Sequence, residues 1–151
     1  MAPRSVLFLC TGNSCRSQMA EGWLRQLGGA GFLALSAGTR PQGIHPLAVR
    51  VMAEAGVDIS GQRSKAVDEY LGRDLALLIT VCGGARESCP LFLGEVGWRG
   101  HWPVEDPAKA SGSEEEILAV FRRVRDELKD RILELMMTIG QAEGDGHGRQ
   151  G

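Results

Sequence analysis

No charge of one sign dominates this chain: 17 basic against 19 acidic side chains leave a formal charge of -2 over 151 residues. Nucleic acid and anionic membrane surfaces call for a basic excess, so neither is an expected partner. Any anion the protein binds must be captured locally. Also missing are a long apolar stretch and a charged, hydrophobic leader ending in small residues; "MAPRSVLFLC" runs straight into a strand pattern. Neither a membrane span nor a signal peptide is therefore expected, and the expected location is the cytoplasm. Cysteines are few, at positions 10, 15, 82 and 89. In a reducing compartment they are not expected to form structural disulfides, which leaves metal binding, redox chemistry or nucleophilic catalysis, beside burial as small hydrophobes. A chain of this length can bury about two thirds of its unfolded surface in one core without such staples.

What is present is an alternation of strand and helix patterns. Val6 to Leu9 and Leu75 to Val81 have the length and β-branched content of strands buried on both faces, and "FLALSAG" at 32–38 and "GWRGHW" at 97–102 are weaker candidates. Asn13 or Ser14 is expected to cap a helix that turns Met19, Trp23 and Leu27 inward and stops at Gly28 and Gly29. A second helix opens with Pro46, buries Leu47 and Val51, and stops at Gly56. Ser113 and Glu116 make a capping box. Ile117, Phe121, Val124, Leu128, Ile132, Leu135 and Ile139 then form one apolar stripe. The alternation predicts an α/β domain of flavodoxin-like type, a parallel sheet with helices on both faces, spanning residues 1–139. The last twelve residues, "GQAEGDGHGRQG" at 140–151, lack apolar periodicity and are expected to be a disordered tail.

Sheets of this kind bind ligands beyond the carboxyl ends of their strands, where "CTGNSCRS" follows the first strand and "CGGARESC" the Leu75 to Val81 strand. A strand, a tight polar loop and a helix start aim backbone N–H groups and the positive helix end at one spot. Thr11, Gly12, Asn13, Ser14, Cys15 and Arg16 are the expected cradle for a tetrahedral oxyanion. Gly12 eases the convergence of amides, and the Arg16 fork suits bidentate oxygens. The same field favours the nucleophilic thiolate of Cys10, to which Ser17 could donate a hydrogen bond. Cys15 is read as a packed member of the loop.

"VLFLCTGNSCRS" resembles the phosphate-binding loop of the low-molecular-weight protein tyrosine phosphatase superfamily. With Cys82 and Cys89 in "TVCGGARESCP", the chain resembles the thioredoxin-coupled arsenate reductases of that superfamily. The likeness extends over most of residues 5–135, through "QMAEGW", "SAG", "HW", "DPA" and "RVRDEL". It implies a four-stranded sheet of order 2-1-3-4, with the first and third strands adjacent. Since neighbouring strands lie about 4.8 Å apart, Cys10 and Cys82 come within reach of each other. The resemblance further implies arsenate as substrate, with phosphate or sulfate as competing oxyanions, and Asp106 as the acid that protonates the leaving oxygen. Cys10–Cys82 and then Cys82–Cys89 are the implied disulfides, with thioredoxin as the implied electron donor. A helical 83–89 would hold Cys82 and Cys89 about 10 Å apart, beyond disulfide reach, so oxidation is expected to unwind that segment.

Members of this reductase family often hold potassium near the loop, with help from Asn13, Glu21, Ser36 and oxygens at 63–65. Arg63 and Lys65 cannot ligate a cation. The expectation is therefore no tightly bound cofactor or metal, with Lys65 either replacing the ion or pointing to solvent. A monomer is expected. A tyrosine phosphatase is the alternative, and it usually places aromatics after the Asp-Pro where this chain has Ala108 and Lys109; weak phosphatase activity is expected as a side reaction. A four-cysteine zinc module is disfavoured by the six-residue gap between Cys82 and Cys89.

Overall fold

The apolar run after Ser5 becomes β1 (Arg4–Cys10) in the computed structural model, which describes residues 3–82 and 95–150, with side chains as far as residue 139. The other strands are β2 (Phe32–Gly38), β3 (Leu75–Cys82) and β4 (Val96–Pro103). They form one parallel sheet in the order β2-β1-β3-β4, the order implied by the resemblance. β1 and β3 are central and buried on both faces, which is why they are nearly continuous apolar runs. Their register runs from Val6 beside Leu77 to Leu9 beside Thr80, while Cys10 pairs with Gly38 on the other side. The loop after Cys10 and the end of β3 therefore emerge at the same edge of the sheet.

The two faces are covered unequally. Val6 and Phe8 point into the larger core, where α1 (Arg16–Gly28), α2 (Pro46–Glu54) and α3 (Glu114–Gln150) contribute Met19, Trp23, Val51, Met52, Phe121 and Leu128. Leu7 and Leu9 point the other way, into a smaller cluster with Leu78 and Tyr70, the latter brought by a 3-10 turn at Val67–Tyr70. Among the described residues, all three α-helices pack in the larger core. Trp23 ties α1 to α3 by donating its indole N–H to the Arg125 carbonyl at 3.0 Å.

Helix boundaries follow local chemistry, with two differences from the sequence reading. Ser113 and Glu116 form the reciprocal capping box, each side chain accepting the other's backbone N–H at 3.1 Å. Pro46 opens α2, whose N-cap His45 accepts the Leu47 N–H through Nδ1. In α1, however, the cap position is Cys15, without a side-chain capping bond, and not Asn13 or Ser14. Asn13 is engaged elsewhere in the loop. In α3 the buried stripe starts at Leu118, and Ile117 is only partly covered. The backbone of α3 runs on as helix to Gln150. Ile139 is the last described side chain to pack against the core. No helix among the described residues is long and apolar enough to cross a membrane.

Candidate active site

The segment between β1 and α1 is shaped by bonds to its outside. The carbonyl of Thr11 accepts the Arg40 N–H at 2.9 Å, that of Gly12 the Gln42 N–H at 3.0 Å, and that of Ser14 the His45 N–H at 3.1 Å. The Asn13 carbonyl accepts from Gln18 Nε2 at 3.1 Å and Ser64 Oγ at 3.0 Å. In a trans peptide the C=O and the next N–H point in opposite directions. Four carbonyls held outward therefore turn the amides of Gly12, Asn13, Ser14 and Cys15 toward the middle of the loop, an anion nest at the start of α1.

Over this nest lies a cavity of about 480 Å³, lined on the loop side by Cys10, Thr11, Gly12, Ser14, Cys15 and Arg16. Asp106 and Lys109 from the turn after β4 close it, with Arg40 and Gln42 from the segment after β2. Arg16 is almost wholly buried. Its Nη1 donates to the Val104 carbonyl at 3.1 Å, and its Nη2 stands 3.7 Å from Asp106 Oδ2. Asp106 is also the N-cap of the Pro107–Lys109 turn, accepting the Ala108 N–H at 3.0 Å. It thus serves as a turn residue and still faces the cavity.

Cys10 Sγ is 2.8 Å from Ser17 Oγ, a contact in which either atom can be the donor. Asn13 Oδ1 accepts the Lys65 N–H at 2.7 Å and Gln18 Nε2 at 2.9 Å, which orients the amide so that Nδ2 donates to Ser17 Oγ at 2.8 Å. Ser17 Oγ accepts that bond and still has its O–H to give, which a thiolate at Cys10, having no proton of its own, would receive. Asn13 performs this at φ +46°, the only positive φ outside glycine among the described residues. Its conformation is held by bonds on every side. Cys15 packs in the larger core, and burial pushes its thiol up to about 12, the reverse of what a nucleophile requires.

Cys82, the last residue of β3, is buried, and neither it nor Cys10 or Cys15 is in a disulfide. Continuing the β1–β3 register by one pair sets Cys10 beside Val81, so Cys82 leaves the sheet on the opposite face, at the level of Thr11. The Cys82 carbonyl accepts the Val104 N–H at 3.2 Å, and the Val104 carbonyl holds Arg16. One residue thus couples the end of β3 to the cation of the anion site. Cys89 and the 83–89 segment lie outside the described residues.

The oxygens implied for potassium are already provided for. Asn13 Oδ1 has its two donors, and the Arg63 carbonyl accepts from Gln18 Nε2 at 2.9 Å and Lys65 Nζ at 2.5 Å. Glu21 Oε1 accepts from Ser36 Oγ at 2.5 Å and Lys65 Nζ at 3.5 Å, and Glu21 Oε2 is paired with Arg25. No buried side-chain oxygen or nitrogen among the described residues lacks a partner. Two cations already share one carboxylate, so these residues do not fit a potassium ion.

Several supporting residues escaped the sequence reading. Gly38 is the clearest: a Cβ there would lie 2.5 Å from the Thr11 carbonyl oxygen and 2.8 Å from the Asn13 nitrogen, so only glycine lets the loop lie across the end of β2. A glycine ending a strand is a recognisable sign of close backbone approach. Ser64, Val104 and the Arg40–His45 segment act through contacts distant in sequence and carry no comparable sign.

Residues 5–144 match the family described as low molecular weight phosphotyrosine protein phosphatase. The chain is 49% identical to an arsenate reductase of Bacillus licheniformis, over 87% of this chain and 94% of that one. Its fold is similar to that of an arsenate reductase in the phosphate binding state, with a TM-score of 0.75, 35% identity, and 90% and 98% of the two chains covered. It is also similar to a thioredoxin-dependent arsenate reductase of Corynebacterium glutamicum, with a TM-score of 0.67 and 27% identity over 93% of this chain and 63% of that longer one.

Proposed function

Since the chain belongs to the low-molecular-weight phosphotyrosine protein phosphatase family and stands within it beside the arsenate reductases, we propose that it reduces arsenate to arsenite by a three-cysteine relay recharged by thioredoxin. The observation that carries this reading is the juxtaposition of an anion nest built on Cys10 with Cys82, a second buried thiol at the end of the neighbouring strand. A phosphatase has use for the first and none for the second.

Arsenate sits in the nest, its oxygens held by loop amides and the Arg16 fork. The Cys10 thiolate, stabilised by the Ser17 hydroxyl, attacks arsenic while Asp106 protonates the oxygen that leaves as water. The Cys82 thiolate then attacks Cys10 Sγ. The S–As bond breaks, its electron pair stays on arsenic, and arsenite departs as the Cys10–Cys82 disulfide forms. Cys82 must swing across the end of the sheet for this, a movement available to the terminal residue of a strand. Cys89 next attacks Cys82, restoring the Cys10 thiol, and a thioredoxin dithiol reduces the Cys82–Cys89 disulfide.

The cavity mouth favours a small inorganic oxyanion over an aryl phosphate. Thr39, Arg40, Gln42, Ala108 and Lys109 line it, and no aromatic ring stands among its described lining residues to wall a phenol. Arsenate-dependent NADPH consumption in the presence of thioredoxin and its reductase should be abolished by Cys10→Ser, Cys82→Ser and Cys89→Ser alike. Hydrolysis of p-nitrophenyl phosphate should be weak and lost only with Cys10→Ser. Full arsenate turnover in Cys82→Ser would overturn the relay.

A further inference from the structure

Beneath the loop, on the side away from the cavity, Lys65 is 7% exposed and the segment around it contacts Asn13. The Lys65 backbone N–H holds Asn13 Oδ1, its carbonyl accepts the Gly38 N–H at 2.9 Å, and its ammonium reaches both the Arg63 carbonyl and Glu21. Gln18 Nε2 bonds that same Arg63 carbonyl together with Asn13. Two of the restraints on Asn13 from this side, the Lys65 N–H and the Gln18 amide, are thus tied to one buried ammonium, beside the Ser64 hydroxyl that holds the Asn13 carbonyl. Through Asn13, the restraint continues to Ser17 and Cys10.

We propose that Lys65 is a positioning residue whose ammonium serves as a built-in monovalent cation, holding Glu21 and the 63–65 segment so that Asn13 keeps its orientation toward Ser17. Added potassium consequently has no place in this protein's oxyanion site. Ammonium and potassium are similar in size and charge and seek the same oxygens. Here those oxygens already hold Lys65, and Arg25 shares the Glu21 carboxylate. Burial lowers the Lys65 pKa, and the neighbouring Glu21 carboxylate opposes that shift and favours the charged form. Of the other carboxylates nearby, Glu69 is paired with the Arg63 side chain at 2.7 Å, and Asp58, which lines the same cleft, accepts from Ser60. A cleft of about 430 Å³, lined by Glu21, Arg25, Arg63, Lys65 and Tyr70, connects the cluster to solvent and gives a small cation a way in when the lysine is shortened.

The proposal rests on the anion-nest reading of the site and not on arsenate turnover, so its test uses inorganic phosphate as the probe. Protection of Cys10 by phosphate against iodoacetamide is followed by peptide mapping for wild type, Lys65→Ala, Lys65→Met and Lys65→Arg. Each is assayed in sodium, potassium and methylammonium chloride at equal ionic strength. Wild type should behave alike in all three salts. Lys65→Ala and Lys65→Met should need roughly tenfold more phosphate, the effect expected when a partner that orients a site is removed. Potassium or methylammonium should recover at least a threefold part of that loss in Lys65→Ala, where space opens. It should recover nothing in Lys65→Met, where the side chain still fills the space, and Lys65→Arg should stay closer to wild type than Lys65→Met. A potassium response in wild type would overturn the proposal. So would wild-type protection in Lys65→Met, or recovery of equal size in all three salts. Should Lys65→Ala fail to fold by circular dichroism, the wild-type salt comparison and the Met and Arg variants still decide.

Discussion

The two sides of the Cys10–Ser17 loop each carry a buried cation, and the two cations are held differently. On the cavity side Arg16 donates through Nη1 to the Val104 carbonyl, and its Nη2 stands 3.7 Å from the partly exposed Asp106. On the inner side Lys65 lies against Glu21 and the Arg63 carbonyl, with Ser36 and Arg25 completing the shell of the carboxylate. A cation that lines a cavity, 3.7 Å from a partly exposed carboxylate, can engage an incoming oxyanion. A cation enclosed with its counter-ion cannot, and contributes only by holding its surroundings in place. On the reading proposed above, binding and chemistry belong to one side and orientation to the other.

Removing the cavity-side cation should have the largest effect. Arg16→Ala is expected to lower kcat/KM for arsenate about a thousandfold, the upper range for losing a preorganised oxyanion donor. Arg16→Lys should restore part of that, since it keeps the charge but not the planar fork. A loss of only a few-fold in Arg16→Ala, by steady-state assay with thioredoxin, would break the contrast with Lys65. Asp106→Asn sharpens it next. Asparagine is as good an N-cap as aspartate, so the Pro107–Lys109 turn keeps its bond to the Ala108 N–H while the acid is lost. The expectation is a roughly hundredfold lower kcat with phosphate affinity unchanged or improved, because a negative charge beside Arg16 has gone. An unchanged kcat would reduce Asp106 to a turn residue.

The cavity side was also the side legible in the sequence. Strand, loop and helix follow one another within residues 6–27, and a nucleophile, a glycine and an arginine within eight residues describe a nest before any tertiary contact is known. The capping box at Ser113 and the Pro46 helix start are local chemistry and stand where they were read. The strand order came from the resemblance, since hydrophobic pattern alone does not say which parallel strands are neighbours. The inner side was less legible, because its parts come from residues 13, 18, 21, 36 and 63–65 and meet only through the fold. Asn13 illustrates the difference. Its residue type suits a helix cap, yet its side chain is drawn to Lys65, Gln18 and Ser17, and the cap passes to Cys15. The Lys65 side chain, read as replacing an ion or facing solvent, is buried against Glu21.

Cys15 offers the smallest and most specific test, because it lines the cavity with the rest of the loop yet its thiol packs in the larger core. Its thiol is pushed from 9.0 up to about 12, chiefly by burial. At neutral pH the thiol is protonated in both folded and unfolded chains and contributes no pH dependence. As pH rises from 9 toward 12, the unfolded chain releases this proton and the folded chain retains it, so stability falls with pH across that window. By pH 10.5 this one group should cost about 2 kcal/mol, or roughly 4–8 °C in Tm for a chain of this size. Cys15→Ala starts less stable because it leaves a small void, but its Tm should fall less steeply between pH 8 and pH 10.5 than that of wild type. The other titrating groups are common to both proteins and cancel in the difference. Parallel Tm slopes would mean that the Cys15 thiol is open to ionisation, and its reading as a packed member of the loop would fall.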